Sequence, residues 1–147
     1  MLKGIDPLLS PELLQVMAAM GHGDEIAIVD ANFPAASCAR RLLRVEGADA
    51  PAVLRAVLSL LPLDSFVPEP AAVMAVVGDP DAEPPPVRDF RAVLARATGK
   101  PVAVQVLERS QFYDRARAAF AIVATGERRF YGNILLTKGV IGPEDGA

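Results

Sequence analysis

Histidine, cysteine and tryptophan are almost missing from this chain of 147 residues, which has one histidine, one cysteine and no tryptophan. A single cysteine, Cys38, cannot close an internal disulfide, as expected of a protein kept in a reducing, cytoplasmic compartment. No basic cluster or second histidine accompanies Cys38 to mark a nucleophilic thiolate, so it reads as structurally incidental. One histidine and one cysteine make a poor metal site, and neither HExxH nor CxxC occurs, so no metal is expected. Dinucleotide and phosphate loops are missing too. "GHGDE" has two glycines but precedes a strand-like run instead of following one, and no GxxxxGK[ST] occurs, so no cofactor is expected. No GxSxG elbow marks a serine hydrolase. No apolar run approaches the roughly 18 residues that a membrane helix needs. "MLKGIDPLLSPE" has one lysine and soon meets prolines and acids, so it is not read as a signal peptide. Positive charge is also short, with a net charge of -3 and no basic stripe, so a nucleic-acid partner is not expected.

What is present is an ordinary globular balance, 52% hydrophobic and 22% charged. The length suggests one domain over residues 1–147, large enough to bury a substantial core. Ser10-Pro11-Glu12 reads as a helix start, with serine as cap, proline in the first position and an acid at the positive helix end. Leu13, Leu14, Met17 and Met20 recur at helical spacing, and Gly21 is the expected stop. Residues 25–29 read as a strand, "NFPAAS" as loop and "RLLRVEG" as a short strand. Asp49-Ala50-Pro51 opens a second helix, with Val53, Leu54, Val57, Leu58 and Leu61 on one face, and Pro62 ends it. "AAVMAVV" suits a strand buried on both faces, and "GDPDAEPPP" a surface loop. A third helix turns Phe90, Val93, Leu94 and Ala97 inward and stops at Gly99. "VAVQVLE" alternates like a strand, Ser110 is placed to cap a helix over "QFYDRARAAF", and two closing strands lie in "AFAIVATG" and "YGNILLTKG". Helices alternating with strands predict an α/β fold with a central, mostly buried sheet flanked by helices.

The polar residues that remain gather at strand ends. His22 precedes a strand and Asp30 ends it; Asp64 follows the second helix; Arg109 ends a strand; Tyr113 begins a helix; Tyr131 and Asn133 flank Gly132 in the last strand. Acids, an imidazole, tyrosines, an arginine and an amide form a donor-and-acceptor set suited to a polyhydroxylated ligand. A lone imidazole suits proton transfer near neutral pH. Plainer readings stand beside these. His22 can be structural, although the glycines on both sides weaken a packing role. Asp30 and Asp64 can be loop caps, Arg109 a solvated charge, Tyr113 half-core, and "YGN" a bulged edge strand. Asp24, Glu25, Asp79, Asp81 and Glu83 read as loop-solvating acids.

Three segments carry a resemblance to a known family: "LSPELLQVMAAMGHGDEIAIVDANFP", then "LLPLDSF" with "AAVMAVV", then "RSQFYDRARAAFAIVATGERRFYGNILLTKGV". In residues, order and spacing they resemble the RbsD/FucU family of sugar mutarotases, most closely its fucose branch. Residues 78–101 look generic, while the extra arginines of "AASCARRLLRV" and the acidic, proline-rich loop depart from the pattern.

The resemblance implies an isomerase that interconverts the α and β anomers of free L-fucose with no metal, cofactor or covalent intermediate. It also implies an RbsD-like domain assembled into a ring-shaped homo-oligomer, typically a decamer, with sugar pockets where subunits meet. By similarity His22 is the proton donor, in a glycine-flanked loop that lets the sugar approach its ring. Asp30 accepts a sugar hydroxyl, and Arg109, Tyr131, Gly132 and Asn133 contact the sugar. Asp64 and Tyr113 match residues implicated in catalysis or sugar contact. His22 and Asp30 are expected from one subunit, with some of Arg109, Tyr131 or Asn133 from a neighbour. The ribose branch is expected to carry a histidine near Arg109, and this chain has no second histidine. Rival readings are a mutarotase or pyranase for another sugar such as D-ribose, a non-catalytic sugar-binding protein, and an interaction protein whose strand ends are only a subunit contact.

Overall fold

Successive residues of a strand point to opposite faces, so an uninterrupted apolar strand must be covered on both. In the computed structural model, which describes residues 1–145, Ile26 and Ile28 enter one hydrophobic layer and Ala27 and Val29 the other. The expected domain's last residues, Gly146 and Ala147, lie outside the described residues. Eleven elements follow in order: α1 (Pro11–Ala19), β1 (Glu25–Val29), α2 (Ala35–Cys38), β2 (Leu42–Val45), α3 (Ala50–Leu58), β3 (Ala71–Met74), α4 (Pro85–Thr98), β4 (Val104–Leu107), α5 (Arg109–Ala118), β5 (Ala121–Thr125) and β6 (Ile134–Thr137). One mixed sheet runs in the order β2-β5-β1-β6-β3-β4. β6 is antiparallel to both neighbours, β1 and β3; the other pairs are parallel. Helices α1, α3 and α4 cover one face through Leu13, Met17, Leu54, Phe90 and Leu94. α2 and α5 cover the other through Cys38, Phe112 and Ala116.

The helix starts follow the sequence chemistry. Ser10 Oγ accepts from Leu13 N at 3.2 Å and Asp49 Oδ1 from Ala52 N at 2.9 Å, each satisfying one of the free N–H groups of a first turn. Gly99 adopts a left-handed conformation (φ 77°) and stops α4.

Several expectations are corrected. Gly21 does not stop α1 through a left-handed turn. Met20 leaves the helix in an extended conformation, and the Lys138 ammonium caps the carbonyls of Met17 (2.8 Å) and Met20 (2.5 Å). The last three residues of "NFPAAS", read as loop, join Cys38 in the single turn α2. Ala97 is exposed, whereas Val87 takes a place on the inner side of α4. α5 is capped by Glu108, not Ser110: its side chain accepts from Gln111 N while Gln111 reaches back to Glu108 N, a reciprocal capping box. Arg109 therefore opens α5 and Tyr113 lies inside it. Tyr131, Gly132 and Asn133 form the turn before β6 and are not part of that strand. β6 itself is central, not an edge; the edges are β2 and β4.

Candidate active site

β6 positions both ends of the site. At its carboxyl end the chain meets the turn before β1: Gly23 N donates to Lys138 O at 2.9 Å and Lys138 N to Asp24 O at 2.9 Å. The segment after α3 is held there as well, by Asp64 N to Thr137 O at 3.0 Å and Gly139 N to Pro62 O at 2.8 Å. Those bonds bring His22 to Asp64 across 42 positions of sequence, with Nε2 3.2 Å from Oδ1. Asp64 is buried, and Phe66 N donates to the same oxygen at 3.0 Å. That backbone bond, together with the His22 ring, holds the Asp64 carboxyl below the ordinary carboxylate range against the opposing effect of burial. An ionised carboxylate only accepts, so the His22 nitrogen facing it is the protonated one. Nδ1 is then left for a ligand. The ring is 47% exposed on its side chain and tilts against Phe66, 5.5 Å between centroids.

Of the two glycines beside His22, Gly23 is required by its backbone, at φ 85°, where a side chain is strained. Gly21 is not: a Cβ there meets only Asp24 Oδ2, at 3.7 Å. Asp24 is more than a solvating acid, because that oxygen accepts from Gly21 N at 2.7 Å and closes the turn. Glu25 is likewise ion-paired, to Arg115 at 2.5 Å, and Glu83 to Arg91 at 2.5 Å.

At the other end of β1, Asp30 is 5% exposed. Its N–H donates to Asn133 Oδ1 at 2.8 Å and its Oδ1 accepts from Asn32 N at 2.9 Å. Burial pushes the Asp30 carboxyl above the ordinary range, opposed by hydrogen bonds from Asn32, Phe33, Gly132 and Asn133. Gly132 lies against Asp30: a Cβ on it would sit 3.4 Å from Asp30 Cβ and 2.6 Å from Glu127 Cγ, so a side chain does not fit. Tyr131 has φ 62°, unusual for a residue with a Cβ, and its hydroxyl accepts from Val77 N at 3.1 Å. The exposed Arg109 guanidinium sits 5.2 Å from the centroid of the Tyr113 ring, which stacks on Phe33 at 5.0 Å and 15°.

The eight residues singled out from the sequence therefore fall into two groups. Asp30, Arg109, Tyr113, Tyr131, Gly132 and Asn133 gather at the carboxyl ends of β1, β4 and β5, where ligands of open α/β sheets bind. His22 and Asp64 lie at the opposite edge. β1 alone separates the groups by roughly 16 Å, at about 3.3 Å per residue. His22 and Asp30 of one chain thus stand at opposite ends of β1.

Sequence reading missed Phe33, Phe66, Glu127 and Arg129. "ERRF" reads as a plain connection, yet Glu127 is buried and gripped by Arg129. A buried acid four residues before the motif "YGN" gives no periodic signal. Among the described residues no three acid, histidine or cysteine side chains converge as a metal site.

Residues 3–141 match the RbsD / FucU transport protein family. The chain is 49% identical to the fucose mutarotase of Homo sapiens, an alignment covering 95% of this chain and 94% of that one. It is 45% identical to the L-fucose mutarotase of Glaesserella parasuis, over 95% and 96% of the two chains. Among solved structures, the fucose mutarotase of Streptococcus pneumoniae in complex with L-fucose superposes with a TM-score of 0.90 at 42% identity, covering 96% of this chain and all of that one. Bacillus subtilis RbsD complexed with D-ribose shares the fold, with a TM-score of 0.72 at 19% identity. Matched almost end to end by the family profile and by relatives of near-equal length, the chain belongs to the RbsD/FucU family.

Proposed function

We propose that this protein is an L-fucose mutarotase, an isomerase acting on the free sugar. The observation that carries the reading is the near-full-length likeness to a fucose mutarotase whose structure holds L-fucose, joined to a buried carboxylate, a buried amide and an arginine at one sheet edge.

Anomer exchange opens the hemiacetal ring, turns the aldehyde and closes the ring on its other face. Opening needs one proton delivered to the ring oxygen and one removed from the anomeric hydroxyl. His22 is the proton donor in its imidazolium form: the Asp64 carboxylate holds Nε2–H and pairs with the cation, and Nδ1–H faces the sugar and gives its proton to the ring oxygen. Tyr113 stands beside Arg109 as the second group able to move or share a proton. Asp30 accepts a sugar hydroxyl. Arg109, Tyr131 and Asn133 supply further hydrogen bonds, and Gly132 lets the turn pack onto Glu127 and present its backbone to the sugar. Each well-placed acid or base contributes about 10²–10⁴-fold. Proton transfer and hydroxyl recognition require no metal or cofactor.

Residues 1–147 serve as one such domain in a cytoplasmic homo-oligomeric ring, a decamer in our reading. The two-ended arrangement supports this. A sugar spans far less than the separation of His22 from Asp30, so the His22 edge of one copy completes the Asp30 pocket of the next. Exposed apolar side chains mark both edges: Phe66 and Ile141 near His22, Val77 and Phe130 near Asp30. Contact between two different surfaces is heterologous, and it closes into a ring where the rotation from copy to copy completes a full turn. No helix among the described residues is long and apolar enough to cross a membrane. The partner we assign is thus a monosaccharide, with neither membrane nor nucleic acid involved.

Saturation transfer between the anomeric protons of L-fucose, D-ribose and D-galactose, with and without protein, tests the reading. Accelerated exchange of fucose supports it. Exchange of D-ribose in preference would favour the pyranase alternative, and binding without exchange would favour a sugar-sensing protein.

A further inference from the structure

Glu127 is a buried acid that the mechanism above does not use. It is 3% exposed, and its carboxylate is fully engaged. Oε1 accepts from Arg129 N at 2.9 Å and Arg129 Nε at 3.0 Å, and Oε2 accepts from Arg129 Nη2 at 3.0 Å. The remaining arm of that guanidinium, Nη1, donates to Asp89 Oδ2 on α4 at 2.8 Å. Glu127 also binds on its backbone side. Its carbonyl accepts from Ala31 N at 2.8 Å, and its N–H donates to Thr125 Oγ1 at 3.2 Å. Thr125 Oγ1 in turn donates to Val29 O at 2.8 Å. The two residues on either side of Asp30 are therefore both tied to the segment 125–127. The Glu127 side chain is also the floor on which Gly132 rests, since a Cβ on Gly132 would lie 2.6 Å from Glu127 Cγ.

We infer that Glu127 and Arg129, anchored on Asp89, are positioning residues that hold Asp30 and the Tyr131–Asn133 turn in the geometry the sugar needs. The inference rests on the mutarotase reading for its sugar, but its structural half stands alone. Tyr131 shows why a clamp is needed there. A non-glycine residue at positive φ relaxes unless its surroundings hold it, and such residues persist where the neighbouring structure over-determines them. Here the turn is fixed beneath by Glu127, at one end by Asn133 on Asp30 N, and at the other by the Tyr131 hydroxyl on Val77 N. An arginine is suited to this place because its planar fork spans both oxygens of Glu127 and still reaches Asp89, which a lysine ammonium does not. A buried ion pair is weak evidence for stability, since apolar replacements often do as well. Its use here is the fixed geometry.

The test compares Arg129→Lys and Glu127→Gln with wild type and with Arg128→Lys, an exposed neighbour as control. Circular dichroism first establishes the temperature range in which all four are folded. Within it, fucose exchange is measured against sugar concentration, and amide hydrogen exchange is measured at Asp30, Ala31 and the β1 residues. In both clamp variants the half-saturating fucose concentration should rise about tenfold while the saturating rate changes less than about threefold. Protection should fall at Asp30 and Ala31 but not along β1. Arg128→Lys should match wild type. Unchanged half-saturation, or a fall in saturating rate alone that tracks melting temperature, overturns the inference, as does unchanged protection at Ala31. If wild type itself shows no fucose exchange while the variants lose protection at Asp30 and Ala31, the mutarotase reading has failed and the clamp has not.

Discussion

His22 Nε2 stands 3.2 Å from Oδ1 of Asp64, a buried carboxylate 42 residues later in the chain. The pair leaves one imidazole nitrogen committed and one free. His22→Ala should reduce fucose exchange by about 10²–10⁴-fold, as expected for loss of a general acid, with the fold intact. Asp64→Asn should cost on the order of 10²-fold, because a neutral carboxamide no longer stabilises the proton-donating imidazolium. Saturation transfer with circular dichroism as a fold check measures both. Near-wild-type exchange in His22→Ala would remove it from the mechanism.

The carboxylates also predict how stability depends on pH. Asp64 and Glu127 are held below their ordinary range, Glu127 chiefly by the Arg129 guanidinium. Their stabilisation is fully present above the unfolded values near 4 and is lost as pH falls through the folded ones. Asp30 is raised by burial, so its effect has the opposite sign: stability is lost as pH rises through the window just above about 4. Urea denaturation across pH 2.5–6 should therefore show Glu127→Gln with a shallower acid limb than wild type. Asp30→Asn should instead lose less stability on going up through that window. A Glu127→Gln acid limb as steep as that of wild type would contradict the assignment.

Gly132 and Gly21 separate close packing from mere proximity to the site. Gly132→Ala places a methyl into Glu127 and against the Arg129 carbonyl and should destabilise by about 1–3 kcal/mol, as overpacking does. It should also weaken fucose binding. Gly21→Ala meets nothing closer than 3.7 Å and should change stability by less than about 0.5 kcal/mol. Thermal melts decide it, and equal losses in the two variants would contradict the packing seen around Gly132.

Arg109 lies exposed over the Tyr113 ring and makes no ion pair among the described residues. A side chain left free in this way is available to a ligand. Arg109→Lys should raise the half-saturating fucose concentration several-fold with an unchanged melting temperature, since one ammonium does not reproduce the guanidinium fork. Exchange at low fucose equal to wild type would make Arg109 a surface charge.

Much of the fold was legible because it is locally determined. Ser10 and Asp49 announce helix starts, Gly99 a helix end, and the apolar run 71–77 a strand with no polar face, of which 71–74 form β3. Local rules failed where a competing partner was close or a distant one decided. Glu108 and Gln111 cap each other and take the role expected of Ser110. α2 is one turn and too short for periodicity. β6 lies mid-sheet because it pairs with β1 and β3, which no local pattern announces. The site residues were legible mainly as a family pattern. Their division between two sheet edges was not, because proximity in a list of residues says nothing about which end of β1 each occupies. The grip of Arg129 on Glu127 was hidden because charged residues in a short connection read as solvated.

The two-edge arrangement predicts complementation. Co-expressed His22→Ala and Asn133→Ala chains should regain part of the activity that each lacks alone, because a mixed ring contains some junctions with both intact halves. Light scattering with an exchange assay across a dilution series should show activity falling as the oligomer dissociates. A fully active monomer would contradict a shared site.

The most direct test of the central claim is saturation transfer between the α and β anomeric protons of L-fucose at neutral pH, with wild type and His22→Ala side by side. The account predicts transfer well above the spontaneous rate with wild type and close to that rate with His22→Ala. Transfer no faster with wild type than in buffer would contradict it.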